Sequence, residues 1–159
     1  MKTTINENKV TKLTRKGMKE LKKSISQLEN DRKKAFSELK DIDRTFGHEG
    51  RLTRMEKLSE IESIESEIND LKIILANAKL LPSRRNNLHI AIGSVVDLID
   101  PQGHLFRYKI VESVEANPSD GRISNISPIG RILIGKTVKD LIEWTNGKHS
   151  TRLRVANIY

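Results

Sequence analysis

The chain contains no cysteine, which excludes disulfides and cysteine-based metal centres. Aromatic residues make up only 4% of it, too few for the stacked platform on which single-stranded nucleic acids are held. No apolar run approaches the roughly 20 residues that span a bilayer. The opening residues Met1-Lys2-Thr3-Thr4-Ile5-Asn6-Glu7 lack the apolar stretch of a secretory signal. The expectation is a cytoplasmic protein with no membrane partner. No helix-turn-helix or zinc finger is recognisable. A convincing catalytic triad, glycine-rich phosphate loop and metal-ligand cluster are missing too, which argues against a free-standing hydrolase. Proline does not occur before Pro82, so nothing of that kind interrupts a helix in the first half.

What the chain has is charge. Charged residues are 31% and hydrophobic residues 36% of 159, a polar balance that suits an elongated protein with much surface. The formal net charge is +8. Up to Leu80 there are 18 Lys and Arg against 14 Asp and Glu, and beyond it 11 against 7. Each part therefore carries the same excess, and the positive field is general rather than the property of a disordered basic arm. A polyanion or an acidic protein surface is the partner such a field favours.

Two long periodic runs fill the first half. Thr14 is a good N-cap, and after it Met18, Leu21, Ile25, Leu28, Ala35, Leu39 and Ile42 recur at three- and four-residue steps, with Arg32 at the one polar seam position. This is a heptad seam. The second run carries Met55, Leu58, Ile61, Ile64, Ile68, Leu71, Leu75 and Ala78, with a break in the heptad at 58-61-64. Between the runs, Thr45-Phe46-Gly47-His48-Glu49-Gly50 holds two glycines that can reverse the chain. The spacing predicts helices over about 14–44 and 53–80, a tip at 45–52, and an N-terminal coiled-coil hairpin over 1–81. A compact bundle of separate helices is the alternative, disfavoured because neither helix shows a second apolar face.

After the basic linker Pro82-Ser83-Arg84-Arg85-Asn86-Asn87 the period changes to two. Ser94–Ile99 and Leu105–Val111 read as strands around an Asp100-Pro101-Gln102-Gly103 turn, and Leu141–Trp144 with Leu153–Ile158 form a terminal hairpin. Between them lies Ile123-Ser-Asn-Ile-Ser-Pro-Ile-Gly-Arg-Ile-Leu-Ile-Gly-Lys136. Ser127 suits an N-cap, Pro128 the first helical position, and Gly135 the left-handed residue that ends a helix. The fold class is α+β: a helical hairpin, then a small antiparallel β domain over 82–159 with one short helix.

This last segment resembles the C-terminal signature of the Gre family, bacterial transcription elongation and transcript-cleavage factors that act on RNA polymerase. The resemblance runs from Leu13 to Tyr159: an opening Leu-Thr-x-x-Gly, the long hairpin, then Gly-Ser-Val-Val, Tyr-x-Ile-Val and the Ser-Pro corner. It implies an FKBP-like β domain used for docking, with Asn125, Ser127 and Pro128 in the polymerase-contacting segment. It also implies a monomer whose coiled coil enters the polymerase secondary channel past its rim and meets the nascent RNA 3′ end. In the family, acidic tip residues hold a second magnesium ion at the polymerase active centre, and the polymerase itself cleaves the RNA. The protein is then an accessory factor, with no cofactor of its own beyond magnesium shared with that centre.

At the tip this sequence departs from the family. The usual tip reads Gly-Asp-Leu-x-Glu-Asn-x-Glu-Tyr, whereas here Gly47 is followed by His48, Glu49, Gly50, Arg51, Leu52, Thr53, Arg54 and Met55. His48 stands in place of the Asp and Arg51 in place of the first Glu. Magnesium takes hard oxygen ligands, and a guanidinium is not one. Glu49, with Asp43, is the candidate for an altered metal site. His48 reads as an exposed loop histidine before it reads as a ligand. Two mechanisms stay open: channel occupation without cleavage, with His48, Arg51 and Arg54 as tip contacts, or cleavage through Glu49 and Asp43. In a different class, a basic coiled-coil protein would bind DNA or RNA directly in a salt-dependent manner.

Overall fold

The computed structural model describes residues 10–45, 50–82, 88–146 and 149–159. In order, these form β1 (Thr11–Leu13), α1 (Arg15–Thr45), α2 (Arg51–Ala76), β2 (Ala78–Leu80), β3 (Val95–Ile99), β4 (Leu105–Val111), β5 (Arg122–Ser124), α3 (Pro128–Leu133), β6 (Leu141–Asn146) and β7 (His149–Ile158). They divide into two units. One is built around Met18–Ala78, the other from Lys12–Gly17 and Lys79–Tyr159. The sequence places that division at 81/82.

The first unit is an antiparallel helix pair. Glu29 meets Lys72, Arg32 meets Glu65, and Glu38 meets Lys57, so positions rise along α1 as they fall along α2. Leu21, Ile25, Ala35 and Leu39 are buried on α1, and Ile61 and Ile68 on α2. Leu28 and Leu71, core positions by their spacing, are only half-buried, because a two-helix pair is too narrow to enclose them. The larger correction is near the tip. Met55 and Leu58 fall in the sequence-read seam, yet they are 68% and 39% exposed. Lys57 is tucked in instead, with its side chain 19% exposed and its ammonium 2.7 Å from both Glu38 and Glu60. Its long stem is thus largely buried while its head stays paired. Glu38 and then Glu60 raise its pKa and hold the charge. The break at 58-61-64 marks this exchange of seam residue.

α2 also ends earlier than the expected residue 80. Asn77 caps it through N–H bonds to the Ile73 and Leu75 carbonyls, and residues 78–80 leave the helix to pair with β1. The start of α1 lies in the second unit. Thr14 is its N-cap: the Gly17 N–H donates to Thr14 Oγ1 at 3.0 Å. The N–H of Thr14 donates to Glu115 Oε1 at 2.6 Å, and its hydroxyl donates to Oε2 at 2.7 Å. Glu115 thus does from 101 residues away what the third helical residue does in a capping box. Gly17 occupies that third place, and a Cβ there would overlap the Glu115 carboxylate.

The sheet of the second unit has the order β5-β4-β3-β7-β6. β3 is antiparallel to β4 and β7, and β6 to β7. The sheet is mixed rather than purely antiparallel, because β5 returns parallel to β4 after the turns at 113–115 and 118–120. A register shift beside Asp97 lets Asp97 face Asn157 while Leu98 faces Val155, a bulge of the kind that bends a strand. Ile90, Val96, Leu98, Ile110, Leu133, Ile142, Leu153, Val155 and Ile158 form the core. α3 is held to it by Leu133, with Ile129 and Ile132 packed alongside.

Candidate functional site

The Ser-Pro corner is built by local hydrogen bonds. The Asn125 N–H donates to the Val111 carbonyl at 2.8 Å, which continues the β5 pairing by one residue. Ser127 then does two things: its hydroxyl donates to the Ser124 carbonyl at 2.7 Å and accepts from the Gly130 N–H at 3.1 Å. Pro128 follows at the first helical position, where a missing N–H costs nothing. Gly135 ends the turn at φ +80° and donates its N–H to the Ile90 carbonyl at 2.8 Å. The three expected docking residues are therefore brought into one corner. Pro128 is exposed, Ser127 and Asn125 are half-buried, and the apolar side chains of Ile126 and Ile134 are exposed close by in the chain. The Asn125 Oδ1 atom is buried and accepts no hydrogen bond.

The tip residues are not assembled in this way. His48 and Glu49 lie outside the described residues. Asp43 belongs to the last turn of α1, and its side chain is not described. Arg51 opens α2 after Gly50, and Arg54 donates its N–H to the Gly50 carbonyl at 2.9 Å. Both arginine side chains are exposed. The first turn of α2 carries no acid, so two cations stand at the end of a helix where the dipole is already positive. Among the described residues no group of three or more His, Asp or Glu side chains could hold a metal ion.

One polar cluster of the second unit was not read from the sequence. Asp97 sits at the middle of β3 and is 2% exposed. Arg107, its cross-strand neighbour, grips it bidentately at 2.7 and 2.9 Å. Asn157 Nδ2 and Tyr159 Oη add donors at 3.4 and 3.3 Å, and the guanidinium lies 5.4 Å from the Tyr159 ring centre. An aspartate inside Val95-Val96-Asp97-Leu98-Ile99, with an arginine mirrored across the Asp100–Gly103 turn, was the available signal. The Arg107 guanidinium holds the Asp97 carboxyl below its usual range, against the opposing effect of burial.

A pH dependence follows. The folded pKa of Asp97 is depressed, so its stabilising contribution is complete above the unfolded value of about 3.9 and is lost as pH falls through the lower folded value. Acid titration of the fold, followed through Trp144, the single tryptophan, is expected to show a limb below about pH 4. Asp97→Asn should shrink that limb. An unchanged acid limb in this variant would show that the paired carboxylate does not govern it.

Residues 85–159 match the family described as transcription elongation factor, GreA/GreB, C-terminal. Over 157 residues the chain is 32% identical to transcription elongation factor GreA of Mesomycoplasma hyopneumoniae, covering 96% of each protein. Over 136 residues it is 31% identical to GreA of Bacillus velezensis, covering 84% of this chain and 87% of that one. The crystal structure of GreA factor homolog 1 of Thermus thermophilus is 27% identical, covers 95% of this chain and 99% of its own, and aligns with a TM-score of 0.47.

Proposed function

The chain belongs to the GreA/GreB family of transcription elongation factors, and from that membership we propose that it binds bacterial RNA polymerase. It docks through the Ser127–Pro128 corner, inserts its helical hairpin into the secondary channel past the rim, and modulates elongation with little stimulation of transcript cleavage. It acts in the cytoplasm as a monomeric accessory factor and not as an enzyme. Any magnesium in the reaction belongs to the polymerase active centre. The nascent RNA 3′ end is the group its tip approaches, and direct binding to nucleic acid is a weak, salt-dependent side property of its charge.

The observation that carries the non-cleaving reading is the start of α2. Arg51 occupies the position of the family's first tip glutamate, and no acid stands in that first helical turn. A cation there repels a second magnesium ion and competes for nearby carboxylates. Docking rests on the corner: its backbone is fixed by the Ser127 cap, so Pro128 and the neighbouring apolar side chains are presented by a rigid element, as a recognition surface requires.

The test is polymerase affinity. Ser127→Ala with Pro128→Ala is expected to weaken binding about tenfold or more, equivalent to at least about 1.4 kcal/mol. Loss of the cap alone costs about 1 kcal/mol of helix stability, so thermal unfolding of the second unit must be followed in parallel. Unchanged affinity in a double variant of normal stability would remove the corner from the docking surface.

A further inference from the structure

The distal part of the hairpin leaves apolar side chains uncovered. Leu52 is 71%, Met55 68% and Leu58 39% exposed on α2, and Phe36 is 41% exposed on α1. Leu52, Met55 and Leu58 are three residues apart, so they run as one oblique stripe along α2. Heptad steps fix where the stripe begins. Glu29 meets Lys72 across one flank of the pair. Seven residues on from Glu29 is Phe36; on α2, seven back from Lys72 is Glu65, which pairs with Arg32, and Leu58 follows one heptad further out. The flank that carries an ion pair in the proximal half therefore carries Phe36 and Leu58 in the distal half. The cause is the seam exchange: Lys57 lies inward between Glu38 and Glu60, and the apolar residues on either side of it are turned outward.

We infer that this flank seats against an apolar wall of the polymerase inside the channel, so that the distal hairpin is held by protein contact rather than through a metal-bound acid. The inference rests on the polymerase-binding reading and names the contact made by the inserted end.

The extent and chemistry of the exposed patch select this occupant. Four partly exposed side chains cover an area well short of the roughly 800 Å² per partner that a stable dimer needs, so a second copy has too little to hold. A partner already tethered through the Ser127–Pro128 corner needs far less, because the second contact is made at high effective concentration. Leucine, methionine and phenylalanine offer nothing to phosphates, which makes an RNA backbone a poor occupant. Arg51, exposed one residue before the stripe, adds a cationic rim, so the complementary wall is apolar and bordered by acidic groups.

The experiment compares the full chain with Leu52→Ser/Met55→Ser. Both positions are exposed, so serine opens no cavity and is tolerated in a helix. The expected result is a fall of about tenfold or more in affinity for RNA polymerase, with an unchanged melting curve and unchanged binding to a single-stranded RNA oligonucleotide. Equal polymerase affinity for both proteins would overturn the inference and leave the docking reading standing. A parent chain that does not bind polymerase at all would bring down both. A parent that sediments as a dimer, with the variant a monomer, would make a second copy the occupant. Parallel loss of oligonucleotide binding would make it RNA.

Discussion

Gly17→Ala is expected to destabilise the second unit by about 2–4 kcal/mol, although the same exchange inside an ordinary helix is favourable by nearly 1 kcal/mol. The opposing cost is larger. An alanine Cβ at this position overlaps the Glu115 carboxylate, which is 5% exposed and faces a Thr14 that is 7% exposed. Pushing the carboxylate aside leaves the Thr14 N–H and hydroxyl without the acceptors they now have at 2.6 and 2.7 Å. Each buried polar group so orphaned costs roughly 1–3 kcal/mol, and more when the partner is charged. Glu115→Gln should be milder, since the amide keeps one acceptor oxygen of similar shape and loses the other. Denaturant unfolding followed by Trp144 fluorescence reads the effect inside the unit that contains all three residues. A Gly17→Ala variant that melts at or above the parent temperature would show that helix propensity wins and that Glu115 moves away freely.

This same contact marks the border of what could be read from the chain. Thr14 was recognisable as an N-cap because capping is local, and Ser127 and Pro128 for the same reason. Glu115 was not, because its partner lies 101 positions away and no local pattern points there. Asp97 and Arg107 are nearer in sequence, but their pairing depends on the strand register, which the turn at Asp100–Gly103 sets. The helical hairpin was legible because seven-residue periodicity over many turns leaves little alternative. Its distal register was not, because a lysine seldom counts as a seam residue. Lys57 does so only with Glu38 and Glu60 in place to receive its ammonium. The end of α2 at Ala76 and the parallel course of β5 were missed on similar grounds. Both are imposed by strand partners remote in sequence, β1 in one case and β4 in the other. The Ser127–Pro128 corner was legible as a local structure, because its cap and its proline act within a few residues.

The largest functional change is expected from reversing the charge of the tip. The parent protein should give little magnesium-dependent stimulation of RNA cleavage on a stalled elongation complex, while competing with an acidic-tipped relative for the polymerase. His48→Asp with Arg51→Glu should create or raise cleavage, by about tenfold or more if even 1.4 kcal/mol of barrier is removed. A second metal ion lowers the barrier by clamping the attacking and leaving oxygens, and it is recruited by carboxylates. A guanidinium in the carboxylate's place contributes repulsion to the ion and attraction to the anions that should hold it. Two unit charges about 4 Å apart interact by roughly 4 kcal/mol at the effective dielectric of a protein surface, so exchanging one sign for the other at Arg51 alters metal affinity far more than any packing change at an exposed site. Arg54 remains beside it in the double variant, and Arg54→Glu added as a third change should raise cleavage further. The contrary outcome is equally concrete. Robust cleavage by the unmodified protein, abolished by Glu49→Ala or Asp43→Ala, would mean that those two acids hold the ion in spite of Arg51, and the non-cleaving reading would give way to an altered metal site.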